Sequence, residues 1–165
     1  MERVGLDLQK TALRLKRDQR GFDLFGRSAF NRYYYATYLR VRGLILEFNP
    51  DWSGGHASVP DILTGSVTKE IKSFRSKMMK SGDPKSIEVC SKGVSSAAAL
   101  AELMRRARLV RNSADYHPEE PVVREDGKRF SLANTSVTDA HSWIGLSERF
   151  IDDILRAIRL SRGIT

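Results

Sequence analysis

VSSAAALAELMRRARLVRNSADY, residues 94–116, carries Leu100, Leu103, Ala107, Val110 and Ala114 at offsets of 0, 3, 7, 10 and 14. That spacing puts the apolar side chains on one stripe of an α-helix, and it predicts a long inner helix. His117-Pro118 ends it, because the residue before a proline is pushed out of helical backbone geometry. Ser95-Ser96-Ala97-Ala98-Ala99 is a run of small side chains inside this helix and predicts a close helix–helix contact.

Working outward, the other apolar periodicities are helical as well. A first helix is expected over about 2–20, with Leu6, Leu8, Ala12, Leu13 and Leu15 on its apolar side. Gly21 and Gly26 frame a connection. A second helix is expected from an N-cap at Ser28 to Asn49-Pro50, carrying Phe30, Tyr34, Tyr38, Val41, Leu44, Ile45 and Phe48. A short helix follows near 57–63, and Thr64-Gly65 reads as a break. Ser66 is expected to cap a helix over 67–80, and Ser81-Gly82-Asp83-Pro84 is a turn.

Beyond the inner helix, residues 118–133 read as a polar connection. Val122-Val123 and Arg129-Phe130 flank Asp126-Gly127, so a small hairpin is expected near 122–130. A last helix is expected from about Ser136 to Arg162, with Val137, Ile144, Ile151, Ile154, Leu155 and Ile158 on its apolar face. The sequence therefore reads as an all-α, compact helical bundle of about five helices, in one domain over 1–165. A chain of this length buries about 68–70% of its unfolded surface and needs no disulfide or metal to hold a core.

The net charge is +8, from 28 Lys and Arg against 20 Asp and Glu, and such a balance concentrates polyanions at the surface. Nucleic acid is the commonest partner of that kind. No run of about 18 apolar residues exists, so no membrane span and no membrane partner is expected. The N-terminal residues Met1-Glu2-Arg3-Val4-Gly5-Leu6-Asp7 lack the apolar core of a secretory signal, and the lone Cys90 makes no internal disulfide. Both points favour the cytoplasm.

The chemistry-bearing residues lie at the end of the inner helix. Arg111 falls at the edge of the buried stripe, where a guanidinium needs a partner, and Asp115 stands four residues on. His117 lies six residues beyond Arg111, about 120° around an ideal helix, so only the departure at Pro118 frees it. Arginine holds phosphates through a planar fork of donors, and histidine moves protons near neutral pH. Together they suit metal-free cleavage of RNA. The blander outcome is an Arg111–Asp115 pair with His117 in solvent.

Three segments in order resemble the HEPN superfamily. Arg111-Asn112, four further residues and His117 fit its Arg, four to six residues, His pattern, and Ala114-Asp115-Tyr116 is similar to the Ala-Asp-Tyr of bacterial members. Ser28-Ala29-Phe30-Asn31-Arg32-Tyr33-Tyr34-Tyr35-Ala36 is similar to their Ser-Ala-x-Asn-Arg-x-Tyr-Tyr-Ala helix. Gly55-His56-Ala57-Ser58-Val59 resembles the Ser-His-x-x-Val that follows it. The resemblance covers residues 28–117. It implies a helical bundle that forms a homodimer or pseudo-dimer, with two Arg/His helix ends facing one another.

Active members are metal-independent endoribonucleases, many of them toxins or antiphage effectors. By that resemblance Arg111, Asn112 and His117 are the catalytic candidates, no metal or cofactor is expected, and the partners are RNA, a second copy and a regulator such as a nucleotidyltransferase-like antitoxin. Other members are non-catalytic modules for dimerisation or for binding nucleic acid or protein.

Arg105 and Arg108 lie off the apolar stripe and suit an RNA path. Arg32 and Tyr33 are candidates for the same role, Tyr33 by stacking on a base, with Tyr34 in the core and Tyr33 and Tyr35 on other faces. His56 is expected to pack or cap, and His141 to be structural or exposed. One cysteine leaves no thiolate zinc site, and no phosphate-binding glycine loop is present. Gly65-Ser66 is similar to the Gly-Ser of small nucleotidyltransferases, but no Asp-x-Asp follows it.

Overall fold

A computed structural model describes residues 1–125 and 127–164. The protein is all-α, with one small antiparallel sheet. Helix α1 spans Glu2–Arg14, α2 Gln19–Phe48, α3 Val59–Ile62, α4 Thr68–Ser81, α5 Pro84–Tyr116 and α6 Val137–Arg162. Strands β1 (Val123–Arg124), β2 (Phe130–Leu132) and β3 (Thr135–Ser136) lie between α5 and α6 and pair in the order β1-β2-β3. The chain divides into two compact units, one of residues 1–38 and 106–145, the other of 39–105 and 146–165.

In the first unit, α1 stops at Arg14 and not near residue 20. The reason is a cap that the apolar pattern conceals. Asp18 Oδ1 accepts the Gly21 backbone N–H at 2.8 Å, the bond of an N-cap to its third helical residue, so α2 starts at Gln19. Ser28 is therefore inside α2, where its hydroxyl donates to Leu24 O. Gly21 and Gly26 are helical too. Gly26 serves packing, since a Cβ there would lie 3.0 Å from Val122 Cγ1.

The sheet docks on this helix. Phe130 sits edge-on against Phe22 and Phe30, with ring centroids 5.5 and 5.8 Å apart. Arg124 covers the outer face of Phe22 at 4.0 Å from the ring centre. Two hairpins build the sheet. The expected one joins β1 to β2, although Asp126 at its turn lies outside the described residues. The second was not legible as a turn: Ala133 and Asn134, both at positive φ, join β2 to β3. Ser136 Oγ then accepts the Asp139 N–H and caps α6.

In the second unit, α3 runs on without a break into one wide π-helical turn, Leu63–Val67, and then into α4. Thr68 Oγ1 donates to Leu63 O at 2.7 Å, a side-chain bond that spans the wide turn. The expected stop at Thr64-Gly65 is thus a widening, and Ser66 caps nothing. Gly82, at φ 74, closes α4 in the left-handed conformation that glycine takes most readily.

Asp83 caps α5 through Ser86 N–H, and Pro84 takes the first helical position, where it has no bond to lose. The inner helix is therefore ten residues longer at its start than the stripe at 94–116 indicates. It meets α6 closely, since a Cβ on Gly93 would stand 2.5 Å from Ala157 Cβ. Asp153 of α6 takes Lys92 at 2.9 Å and the Ser96 hydroxyl at 2.9 Å, so the small-residue run does lie at a helix–helix contact. At the C-terminal end of α6, Arg162 pairs with Glu70 and donates to Phe48 O.

Candidate active site

The first unit brings α2 and the end of α5 together around Arg111. Its guanidinium has four neighbours. Nε stands 2.8 Å from Asp115 Oδ2. Nη1 donates to Asn112 Oδ1 at 3.3 Å, Nη2 approaches the Tyr35 hydroxyl at 3.5 Å, and the Tyr116 ring lies 5.0 Å from the guanidinium carbon. The Nε–H is not aligned with the carboxylate despite the short distance, so that pair is an ionic contact without a directed hydrogen bond. Burial pulls the Arg111 charge down. Tyr116, Asp115 and Tyr35 outweigh it and hold the guanidinium above arginine's ordinary value. Arg111 thus stays charged, with 21% of its side chain exposed.

Asn31 of α2 completes this cluster. Its Nδ2 donates to Asp115 Oδ1 at 2.5 Å, while its Oδ1 is buried and accepts nothing among the described residues. Asp115 is therefore shared, one oxygen facing Arg111 and the other Asn31. Behind them Tyr34 is buried, and burial pushes its hydroxyl up to about 12 against the opposing pull of Arg111 and Arg108.

His117 stands apart. Its side chain is 51% exposed, and Nδ1 lies 2.9 Å from Glu119 Oε1. No hydrogen bond or ion pair joins it to Arg111 among the described residues. The sequence-predicted residues Arg111 and Asn112 are therefore in contact, and His117 is beside the pair rather than in it. A carboxylate can only accept, so in the neutral ring the Glu119 contact assigns hydrogen to Nδ1 and the lone pair to Nε2. Glu119 itself is held below the ordinary glutamate value, first by its own backbone amide and then by His117.

Arg27 holds the segment that carries the histidine. It is 12% exposed and pairs with Asp23 at 2.7 Å. Its Nη1 donates to Ser113 O at 2.8 Å and His117 O at 3.1 Å, and Nη2 reaches Pro118 O and Glu120 O. Two of these carbonyls, Ser113 O and His117 O, also accept backbone N–H groups, and Pro118 O and Glu120 O lie just past the helix, where a cation meets the negative end of the helix dipole. Asp23 Oδ1 accepts the Val122 N–H at 2.9 Å. One ion pair on α2 thus fixes both the end of α5 and the start of the sheet.

The remaining candidates fall elsewhere. Tyr33 is a correction: it is fully buried, its hydroxyl donates to Gln9 Oε1 at 2.6 Å, and its ring lies against His141, so it offers no face to a base. Only Tyr35 of the three tyrosines is partly open. Arg32 is half-buried with Nη1 3.9 Å from Met1 Sδ. Arg108 is exposed in the first unit. Arg105 belongs to the second unit, exposed and 3.6 Å from Glu102. His56 opens a single 3₁₀ turn before α3, and His141 faces Glu2 at 3.4 Å.

Sequence reasoning missed Arg27 and Glu119, gave Asn31 no role of its own, and put Tyr35 on an outer face without the Arg111 contact. The Asp23–Arg27 spacing of four residues was the available signal for the first. Among the described residues no group of three or more His, Cys, Asp or Glu side chains is placed to hold a metal ion, and no helix is long and apolar enough to cross a membrane. Comparison with protein-family models, curated proteins and solved structures returns no match.

Proposed function

We propose that this chain is a HEPN-type, metal-independent endoribonuclease acting as a homodimer in the cytoplasm, in the manner of a toxin or defence effector. The observation that carries the reading is the polar cluster Arg111, Asn112, Asn31 and Tyr35 at the end of α5, with an exposed His117 oriented by Glu119 just beyond it. His117 Nε2 takes the proton of an RNA 2′-hydroxyl. The 2′-oxygen bonds to its own phosphorus and the P–O5′ bond breaks. The second copy's His117, acting in its protonated form, gives its Nε2 proton to the leaving 5′-oxygen. The products are a 2′,3′-cyclic phosphate and a 5′-hydroxyl. Arg111 offsets the charge that builds on the phosphorane oxygens, and Asn112 orients the phosphate. Arg108, Arg105 and Arg32 supply non-specific attraction to the strand. A regulator such as a nucleotidyltransferase-like antitoxin belongs to the same reading.

A second reading has one specific observation in its favour. Arg111 already faces a carboxylate at 2.8 Å, as expected of a non-catalytic module that dimerises or binds nucleic acid or protein. Incubating the protein with total cellular RNA in EDTA, beside His117→Ala, separates the two. The nuclease predicts cyclic-phosphate ends from the parent and a loss of about 100-fold or more in the variant, the usual worth of a general acid or base. Full activity in the variant removes His117 from the mechanism. No cleavage by folded parent protein favours the binding module.

A further inference from the structure

Helix α4 and the π-helical turn before it form an open groove of about 400 Å³ lined by Thr64, Gly65, Thr68, Lys69, Lys72, Ser73 and Ser76. No acidic residue lines it. Across Thr68–Ser81 five basic residues (Lys69, Lys72, Arg75, Lys77 and Lys80) face one acidic residue, Glu70. That single helix therefore carries half of the chain's net charge of +8. Glu70 is turned away from the lysines, bound to Arg162 and Ser161 on α6. The head of the groove is open as well, since a Cβ added at Gly65 would meet nothing within 4 Å.

We propose that this groove binds the phosphodiester backbone of a nucleic-acid strand, as a site separate from the Arg111 cluster. Lys69 and Lys72 follow each other at successive turns of one helix face, with Thr64 and Thr68 before them and Ser73 and Ser76 after. Lysines on flexible stems give charge without the planar fork that fixes one geometry, which suits tracking a strand rather than reading a base. The hydroxyls of Thr64, Thr68 and Ser76 already donate to backbone carbonyls, so the two lysines carry the binding. The polar lining also argues against a lipid surface. A helix lying in a membrane places exposed apolar anchors beside its lysines, whereas no large apolar side chain lines this groove, Ile71 is buried, and the exposed Met79 lies beyond it.

The test is fluorescence anisotropy with a labelled single-stranded oligodeoxythymidine of about 20 nucleotides, titrated over a range of salt for the parent and for Lys69→Gln/Lys72→Gln. Each lost phosphate contact lowers the slope of log K against log salt by about 0.7 on a single strand, so the double variant should lose about 1.4. Both lysines are exposed, and unchanged circular dichroism and melting temperature will show that the variant is folded. A slope equal to the parent's, no binding by the parent, or binding only to phosphatidylserine vesicles overturns the proposal. The probe has no 2′-hydroxyl and cannot be cleaved through one. RNA cleavage can therefore fail while this binding succeeds, and the reverse.

Discussion

Replacing Arg27 with alanine removes one side chain that serves two sets of groups. The backbone oxygens of Pro118 and Glu120 lose a donor, those of Ser113 and His117 keep only a backbone N–H, and Asp23 loses its cation. Breaking a buried ion pair by deleting one partner costs about 3–5 kcal/mol, and a single hydrogen bond to a charged group is worth about 1.5–3 kcal/mol. Asp23 is 31% exposed and water can reach the outer carbonyls, so the lower end applies. The expected loss is about 3 kcal/mol, a large share of a typical domain's stability of about 5–15 kcal/mol. Arg27→Lys keeps the charge but cannot fan out over several carbonyls, and it should lose about half as much. Urea unfolding reads the loss as a fall in midpoint at constant slope. Hydrogen exchange should show the amides of 113–122 opening first. A midpoint for Arg27→Ala that implies under 1 kcal/mol would refute the reasoning, because the helix end would then be held by something other than this arginine.

Two further outcomes concern the second unit. Gly93→Ala places a methyl 2.5 Å from Ala157 Cβ and 3.3 Å from Asp153 O, so it should destabilise by about 1–3 kcal/mol through overpacking; an unchanged urea midpoint would mean that α5 and α6 separate freely there. The hydrogen bond from Arg162 is the main reason that Glu70 titrates below its ordinary 4.5. A lowered folded-state value means stability that is present above 4.5 and lost as pH falls through the folded value, so the parent's midpoint should drop more steeply than that of Glu70→Gln from about pH 5 downward. Parallel curves would show that the Arg162 pair contributes nothing to acid stability.

The helical class was legible because apolar periodicity is a local property. Leu100, Leu103, Ala107 and Val110 are buried as the stripe predicts, and α5 ends where Pro118 forbids continuation. Boundaries failed where a polar side chain decided them. Asp18 rather than Ser28 starts α2, and the chain passes through Thr64-Gly65 as a π-helical turn spanned by the Thr68–Leu63 bond. Tyr33 failed for a different reason. A tyrosine beside another tyrosine cannot both follow the same stripe, yet α1 and His141 cover it from another side, and its hydroxyl finds Gln9. Two neighbouring tyrosines can both be buried when a helix is packed on more than one face.

Local sequence by itself determined the residue types at the candidate site, their order on one helix end, and the Arg111–Asp115 option. It could not decide which groups they meet. Asn31 and Tyr35 stand about 80 positions before Arg111, and Arg27 stands 90 before His117, so their contacts exist only after α2 has packed against α5. Whether a buried guanidinium keeps its charge, and which carbonyls a lone arginine serves, depends on groups brought together by burial from distant parts of the chain.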